Sequence, residues 1–171
     1  MEMDIFHVDM SGRIYEERNI GIALVGMETK LHCGCALNGN LIKLVKKKLF
    51  KNNIFEDSAK LYAICIFLLV KDIKSDIKTL IICNDEDFRI VGKVLSDLLK
   101  DYQFEIINIS EFRKRLGRNI GSLADNYANI YRRKALKPKR LFKGKKLNVV
   151  EVNFKVIKQY WEWPNKISVS D

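Results

Sequence analysis

The chain has 171 residues, 47% of them hydrophobic, and a formal net charge of +10. This length suits one domain with a proper core, and the positive charge makes nucleic acid or an anionic membrane surface the first partner class to consider. The longest uninterrupted apolar run, residues 61–70, is about half of the ~20 residues that cross a bilayer, and the amino terminus is acidic rather than a basic leader. The sequence therefore predicts a soluble, cytoplasmic protein without a membrane partner.

Three strands are predicted at the start of the chain. The segment DIFHVDM forms a short apolar strand that breaks at SGR, and NIGIALVGMETKLHCGCAL gives two further strand-like runs around a turn at 28–30. Alternation places Cys33 and Cys35 on one face of the third strand, which favours burial in the core over metal binding. Unpaired cysteines in apolar segments also suit a reducing cytoplasm.

The middle of the chain changes to helical periodicity. Residues 38–51 form a basic amphipathic stretch that fits either a short helix or an extended strand end. A helix follows from Asn53, with Glu56 at the head of its apolar stripe. Spacings of three and four residues define that stripe, which consists of Ala59, Ala63, Ile66, Phe67 and Val70.

The second half alternates strands and helices. The continuous apolar run in IKTLIICND indicates a strand covered on both faces, and EDFRIVGKVLSDLLKDY follows as a helix. QFEIINIS is a fifth strand, a third helix starts near Ser122, and LNVVEVNFKVI is one more strand. The order is β-β-β-α-β-α-β-α, with residues 1–135 as the domain and 136–171 as a basic extension packed on the core.

Strands separated by helices pair in parallel through right-handed crossovers, so the fourth strand should return beside the first. Open sheets of this kind place their sites at the carboxyl ends of strands beside such a switch in direction, where this chain carries Asp9 and Asp85. Two neighbouring carboxylates repel each other unless a proton or a cation lies between them, and a divalent metal is the usual solution.

Four local motifs resemble the ribonuclease H family, and more closely its branch that cleaves RNA/DNA hybrids. They are VDMSG, NNIFE, CND and GSLADNYA, in the family's order, within residues 4–135. The resemblance implies an α/β fold of the ribonuclease H type, with a mixed five-stranded sheet flanked by helices.

The same resemblance implies a metal-dependent endonuclease that hydrolyses the RNA strand of an RNA/DNA hybrid and leaves 5′-phosphate and 3′-hydroxyl ends. Two Mg²⁺ or Mn²⁺ ions would be held by four carboxylates, because hard oxygen ligands suit these ions. Asp9 would bridge both ions, Glu56 and Asp85 would bind one of them, and Asp125 would help to hold the other.

Substrate-binding residues also follow from the resemblance. Asn52 and Asn53 would face the minor groove of the hybrid, where amides contact base edges and sugars. Ser11 belongs to the first motif. Arg118 or Lys114 stands where many members carry a loop histidine that helps to release product.

Each of these residues also has a purely structural interpretation. Asn53 and Glu56 have the spacing of a helix capping pair, as do Ser122 and Asp125. Asp9 and Asp85 could simply end strands, and Asp87 competes with Asp85 for the metal role unless it begins the next helix. The order of the four acids along the chain favours a site.

Two alternative functions remain open. One is a nuclease of the same superfamily that acts on branched or single-stranded DNA, and the other is a non-catalytic basic module that binds nucleic acid. Residues 132–146 hold nine basic residues in fifteen positions and could follow a phosphate backbone or form a solvated linker. Tyr160, Trp161 and Trp163 could stack on bases, although closing a small core is the favoured interpretation.

Overall fold

A mixed five-stranded sheet forms the centre of the computed structural model, which describes residues 3–73, 75–137 and 146–162. Its strand order is β3-β2-β1-β4-β5, with β1 antiparallel to β2, β2 antiparallel to β3, and β4 parallel to both β1 and β5. This mixed five-stranded α/β sheet, flanked by helices, confirms the predicted fold class. The strands are β1 (Asp4–Ser11), β2 (Ile20–Gly26), β3 (His32–Leu37), β4 (Ile77–Ile82) and β5 (Glu105–Asn108).

Helices cover both faces of the sheet. The first face packs against α1, α2, α3 and α6, and the second face packs against α4 and α5. The helices are α1 (Gly39–Leu49), α2 (Ile54–Asp72), α3 (Phe88–Leu98), α4 (Ile109–Leu116), α5 (Asp125–Lys134) and α6 (Phe154–Trp161), and a 3-10 turn spans Ile14–Glu16.

The helix α2 is the centre of the main core. All its residues from Leu61 to Val70 are buried, because the sheet lies on one side of it and α3 and α6 pack on others. This explains why its apolar run is continuous rather than confined to a stripe. Within the described part of the chain, no helix has the length and apolar character needed to cross a membrane.

The two faces of β1 differ in chemistry. Phe6, Val8 and Met10 point into the main core, whereas His7 lies on the opposite face and contacts the edge of the Phe112 ring at a centroid distance of 5.8 Å. His7 is fully buried, and neither of its ring nitrogens finds a hydrogen-bond partner among the described residues. Burial lowers the pKa of His7 to about 4 because the charged ring would lose its solvation.

We expect the His7→Leu variant to lose less folding stability than wild type when the pH falls from 7 to 4. The unfolded chain takes up a proton at this histidine near pH 6.5, while the folded chain does so only near pH 4. The folded state therefore loses about 3 kcal/mol relative to the unfolded state as the pH falls between these values. Urea unfolding at pH 7 and pH 4 measures this, and an equal loss in wild type and His7→Leu would contradict it.

The cysteine prediction is confirmed, because Cys33 and Cys35 are buried in the main core. Of the two alternatives for residues 38–51, the helix is correct, with the Asn38 side chain accepting a hydrogen bond from the Leu41 N–H at its start.

Two sequence predictions about the later elements need correction. The segment QFEIINIS holds a short strand, but Asn108 then caps a helix, α4, that was not predicted. The strand predicted for 147–157 is wrong. That segment makes one isolated bridge, between Val149 and Gly34, and then α6 begins where Asn153 accepts a hydrogen bond from the Val156 N–H.

The described part of the carboxyl-terminal extension packs on the core. Val152, Ile157 and Trp161 are buried, and the Trp161 ring stacks on Phe50 at 5.5 Å. Trp161 therefore closes the core, as favoured from the sequence. Trp163 and residues 138–145 of the basic connector lie outside the described residues.

Candidate active site

Three aspartates converge at the edge of the sheet where β1 and β4 end. Asp9 lies near the end of β1, Asp85 follows β4, and Asp125 is the first residue of α5. Because β1 and β4 are parallel neighbours, their carboxyl ends open at the same edge. The Asp9 and Asp85 carboxyl groups hydrogen-bond each other, and the charge of Asp125 acts on both.

The electrostatics of this acid cluster (Asp9, Asp85, Asp125) follow from burial. Asp9 is only 8% exposed. Burial first, and then the neighbouring Asp85, raise the pKa of Asp9 to about 8, and burial also raises the pKa of Asp85. The pair therefore retains a proton to a higher pH than two separate carboxyl groups would, unless a cation takes the place of that proton.

Two further polar side chains beside the cluster escaped the sequence analysis. Burial raises the pKa of Glu86 to about 7, and the positive charge of Arg13 opposes that rise. The hydroxyl of Tyr62 on α2 is buried without a hydrogen-bond partner among the described residues, and its pKa is raised by burial and by the charges of Asp85 and its neighbours. The run of three acids at 85–87 was the available signal for Glu86.

Asp87 takes the structural role expected of it. Its carboxylate accepts a hydrogen bond from the Arg89 N–H at 3.0 Å and pairs with the Arg89 guanidinium at 2.8 Å, so it caps α3. This leaves Asp85 as the member of the run that joins Asp9.

The fourth predicted acid, Glu56, does not join the acid cluster. Glu56 is exposed, and it neither hydrogen-bonds the acid cluster nor lines the cleft beside it, although Ile54 and Phe55 do line that cleft. Its neighbour Asp57 is buried and accepts hydrogen bonds at 2.8 Å from the backbone N–H groups of Lys51 and Asn52. In the part of the chain that the structure describes, no three His, Cys, Asp or Glu side chains are already arranged to hold a metal.

The variants Glu56→Gln and Asp57→Asn should separate the predicted metal-binding role of Glu56 from the structural role of Asp57. We expect Asp57→Asn to lower the free energy of unfolding by about 2 kcal/mol, because a buried charged acceptor of backbone N–H groups is lost. We expect Glu56→Gln to leave stability unchanged, because its side chain is exposed, and the ligand role that the resemblance implies predicts a loss of metal-dependent cleavage. Thermal unfolding and a cleavage assay measure these effects, and full activity of Glu56→Gln would remove Glu56 from the ligand set.

The asparagine pair is held by local contacts. Asn53 caps α2 by accepting a hydrogen bond from the Phe55 N–H at 2.8 Å, and the Asn52 amide donates to Asp57 at 3.4 Å. Both residues are exposed. The capping interpretation therefore accounts for both amides without a substrate.

The other two predicted substrate-binding residues lie at the end of β1 and just after α4. Ser11 ends β1 opposite Gly21 of β2. Arg118 lines a cleft of about 460 Å³ together with Lys114 and Ser110. The Asn84 amide donates to the Ser110 hydroxyl at 2.8 Å, which joins this cleft to the loop that carries Asp85.

A second cleft, of about 860 Å³, is strongly basic. Asn19, before β2, and Gly39, at the start of α1, lie on its wall, so it opens at the same edge of the sheet as the acid cluster. The Arg132 Nε donates to the Asn19 carbonyl at 2.7 Å, which fixes the end of α5 against this wall. The cations of this basic cleft are Arg18, Lys43, Arg132, Arg133 and Lys137.

Comparison with solved structures gives a distant likeness. No protein-family model matches the chain, and no curated protein matches it significantly. The chain is similar to NurA in a crystal structure with manganese, at 14% identity and a TM-score of 0.21. The alignment covers 78% of this chain and 38% of the NurA chain, so this chain spans less than half the length of that protein. A likeness at this level assigns neither a family nor an activity.

Proposed function

We propose that the protein is a metal-dependent nuclease that hydrolyses phosphodiester bonds, with the RNA strand of an RNA/DNA hybrid as its substrate and 5′-phosphate and 3′-hydroxyl ends as its products. The observation that supports this is the buried Asp9–Asp85 pair, with Asp125 beside it, at the switch between β1 and β4. A buried carboxyl pair of this kind is a costly arrangement unless a cation uses it.

The donor set fits Mg²⁺ or Mn²⁺. Asp9, Asp85 and Asp125 offer hard carboxylate oxygens and would hold the ions, whose positive charge would favour the ionised form of the Asp9–Asp85 pair. Glu56 is the proposed fourth ligand, because Ile54, in the same first turn of α2, lines the cleft that Asp85 also lines. Two such ions, when bound, neutralise developing negative charge and lower the pKa of water.

The chain's own residues supply binding and proton transfer. Glu86, with a pKa of about 7, can take up or release a proton close to neutral pH, which suits a general acid or base. Arg13 acts electrostatically on both Glu86 and Asp85, so it can counter charge on an incoming phosphate as well.

The basic cleft supports a nucleic-acid substrate. We expect the double variant Arg133→Gln/Lys137→Gln to weaken hybrid binding in chelator about tenfold at low salt and to reduce the salt slope by about 1 to 2, since about 0.9 per phosphate contact is typical. Lys93→Gln/Lys100→Gln, exposed lysines on and just after α3, is the matched control. Equal effects of the two pairs would contradict the cleft as the binding surface.

The decisive experiment is cleavage of a labelled RNA/DNA hybrid with Mg²⁺ or Mn²⁺, compared with RNA duplex, DNA duplex and both single strands. Metal-dependent cutting of the hybrid, lost in chelator and weakened by Asn52→Ala, supports the proposal. If no substrate is cut while hybrid still binds with steep salt dependence, the protein is a binding module.

Two observations favour a second candidate, a nuclease for branched or single-stranded DNA. The amides that would read the hybrid are engaged in capping contacts, and exposed aromatic rings lie beside the acid cluster. The same substrate panel separates the two candidates, because cutting of single strands or branched DNA in preference to the hybrid would select the second.

A further inference from the structure

An exposed apolar surface lies next to the acid cluster. Tyr15, Ile54 and Phe55 line a cleft of about 750 Å³ together with Arg13 and the acids at 85–87. Phe55 is 62% exposed and Tyr15 is 40% exposed, and their rings meet edge to face at a centroid distance of 6.5 Å. We call Tyr15, Ile54 and Phe55 the aromatic shelf.

The core does not require the Phe55 ring in its exposed position. Phe55 stands in the first turn of α2, where its backbone N–H is held by Asn53, and most of its side chain contributes nothing to the core. A large apolar side chain left in solvent carries no folding benefit and favours association, so a cluster of them in a cleft indicates a ligand with an apolar face.

The surroundings of the shelf define the chemistry of that ligand. The Arg13 guanidinium lies over the Tyr15 ring at 5.8 Å and also donates a hydrogen bond to the Tyr15 hydroxyl. A flat aromatic surface with a cation at its border fits a nucleobase joined to a phosphate, since bases stack on aromatic rings and on guanidinium planes. The basic cleft is close by along the chain, because Glu17 and Arg18, which follow Tyr15, line it.

A base inside a regular duplex is stacked on both faces by its neighbours and cannot lie on such a shelf. We propose that the aromatic shelf stacks an unpaired nucleobase of the substrate strand beside the acid cluster, so that the preferred substrate carries an unpaired nucleotide near the bond that is cut. This inference deepens the proposed nuclease function and rests on it for the position of the bond.

Binding in chelator tests the shelf without cleavage. The probe is a short oligonucleotide with one 2-aminopurine, used single-stranded, fully paired in a hybrid, and unpaired within an otherwise paired hybrid. Phe55→Ala should weaken binding of the unpaired forms about tenfold and abolish the fluorescence change of the 2-aminopurine, because stacking contributes about 1–3 kcal/mol per base. Phe55→Trp should retain both.

The control is Tyr102→Ala. Tyr102 is 44% exposed and precedes β5, at the opposite edge of the sheet from the acid cluster. The inference is overturned if the Phe55→Ala variant binds every probe as wild type does. It is also overturned if the variant binds paired and unpaired probes with an equal loss of affinity. A separate cleavage assay distinguishes the two proposals. Cleavage at the same rate with and without an unpaired base would contradict only the role of the aromatic shelf, whereas stacking without any cleavage would contradict only the nuclease function.

Discussion

Asp9→Asn should abolish metal-dependent cleavage, with a loss of about 10³-fold or more, while the protein stays folded. Asparagine keeps the shape of the side chain and removes the charge that neighbouring ions need, and electrostatic groups of this kind dominate such reactions. Initial rates on a labelled hybrid measure the effect. Asp97→Asn, an exposed acid on α3, is the matched control and should cut as wild type does.

Stability as a function of pH gives an independent readout of the same variant. Unfolded Asp9 ionises near pH 3.8 and folded Asp9 near pH 8, so its contribution to stability is present below pH 3.8 and falls as the pH rises to 8. In chelator at pH 8, Asp9→Asn should therefore be at least as stable as wild type. Mg²⁺ should raise the Tm of wild type at pH 8 and not that of the variant. An Asp9→Asn protein that cuts at the wild-type rate would contradict the site.

Gly21→Ala should lower the free energy of unfolding by about 3 kcal/mol and reduce cleavage with it. A Cβ at Gly21 would lie 2.2 Å from the Ala128 carbonyl oxygen and 2.3 Å from the Arg132 nitrogen. Both are backbone atoms of α5, so relief requires the whole helix to move, and overpacking of this kind costs about 1–3 kcal/mol or more. Because Asp125 begins α5, that movement also displaces one member of the acid cluster.

Gly121→Ala is the matched glycine control. A Cβ at Gly121 meets no atom within 4 Å, so its urea midpoint should match that of wild type or rise slightly. Equal midpoints for Gly21→Ala and Gly121→Ala would show that α5 does not pack on β2 as closely as the structure places it.

The sheet could be predicted from the sequence because its signals are strong and independent. The short apolar run of β1, the continuous apolar run of β4 and the intervening helix together predict the parallel pairing of β1 with β4 that the structure shows. Later elements were harder, since Asn108 and Asn153 each cap a helix that follows directly on an extended segment. A short apolar run holds too few residues to separate the helical period from the strand period.

The candidate site was predictable for the residues that strand ends position. Asp9 and Asp85 come together because parallel strands end at one edge. The first turn of α2 was different, because neighbouring helical residues point about 100° apart and the sequence cannot fix the phase. Asp57, rather than Glu56, faces inward and accepts hydrogen bonds from the backbone N–H groups of Lys51 and Asn52, just before the helix. Spacing alone could not show this.

The contact of Trp161 with Phe50 makes two separate stretches of the chain depend on each other. The helix α6 packs on both α1 and α2, and the Lys60 ammonium donates to the Trp161 carbonyl at 3.0 Å. The helix α1 and the carboxyl-terminal segment thus share one apolar seam. A shortened chain that ends before α6 would leave that seam open to solvent, so α1 depends on α6 for the burial of its apolar face.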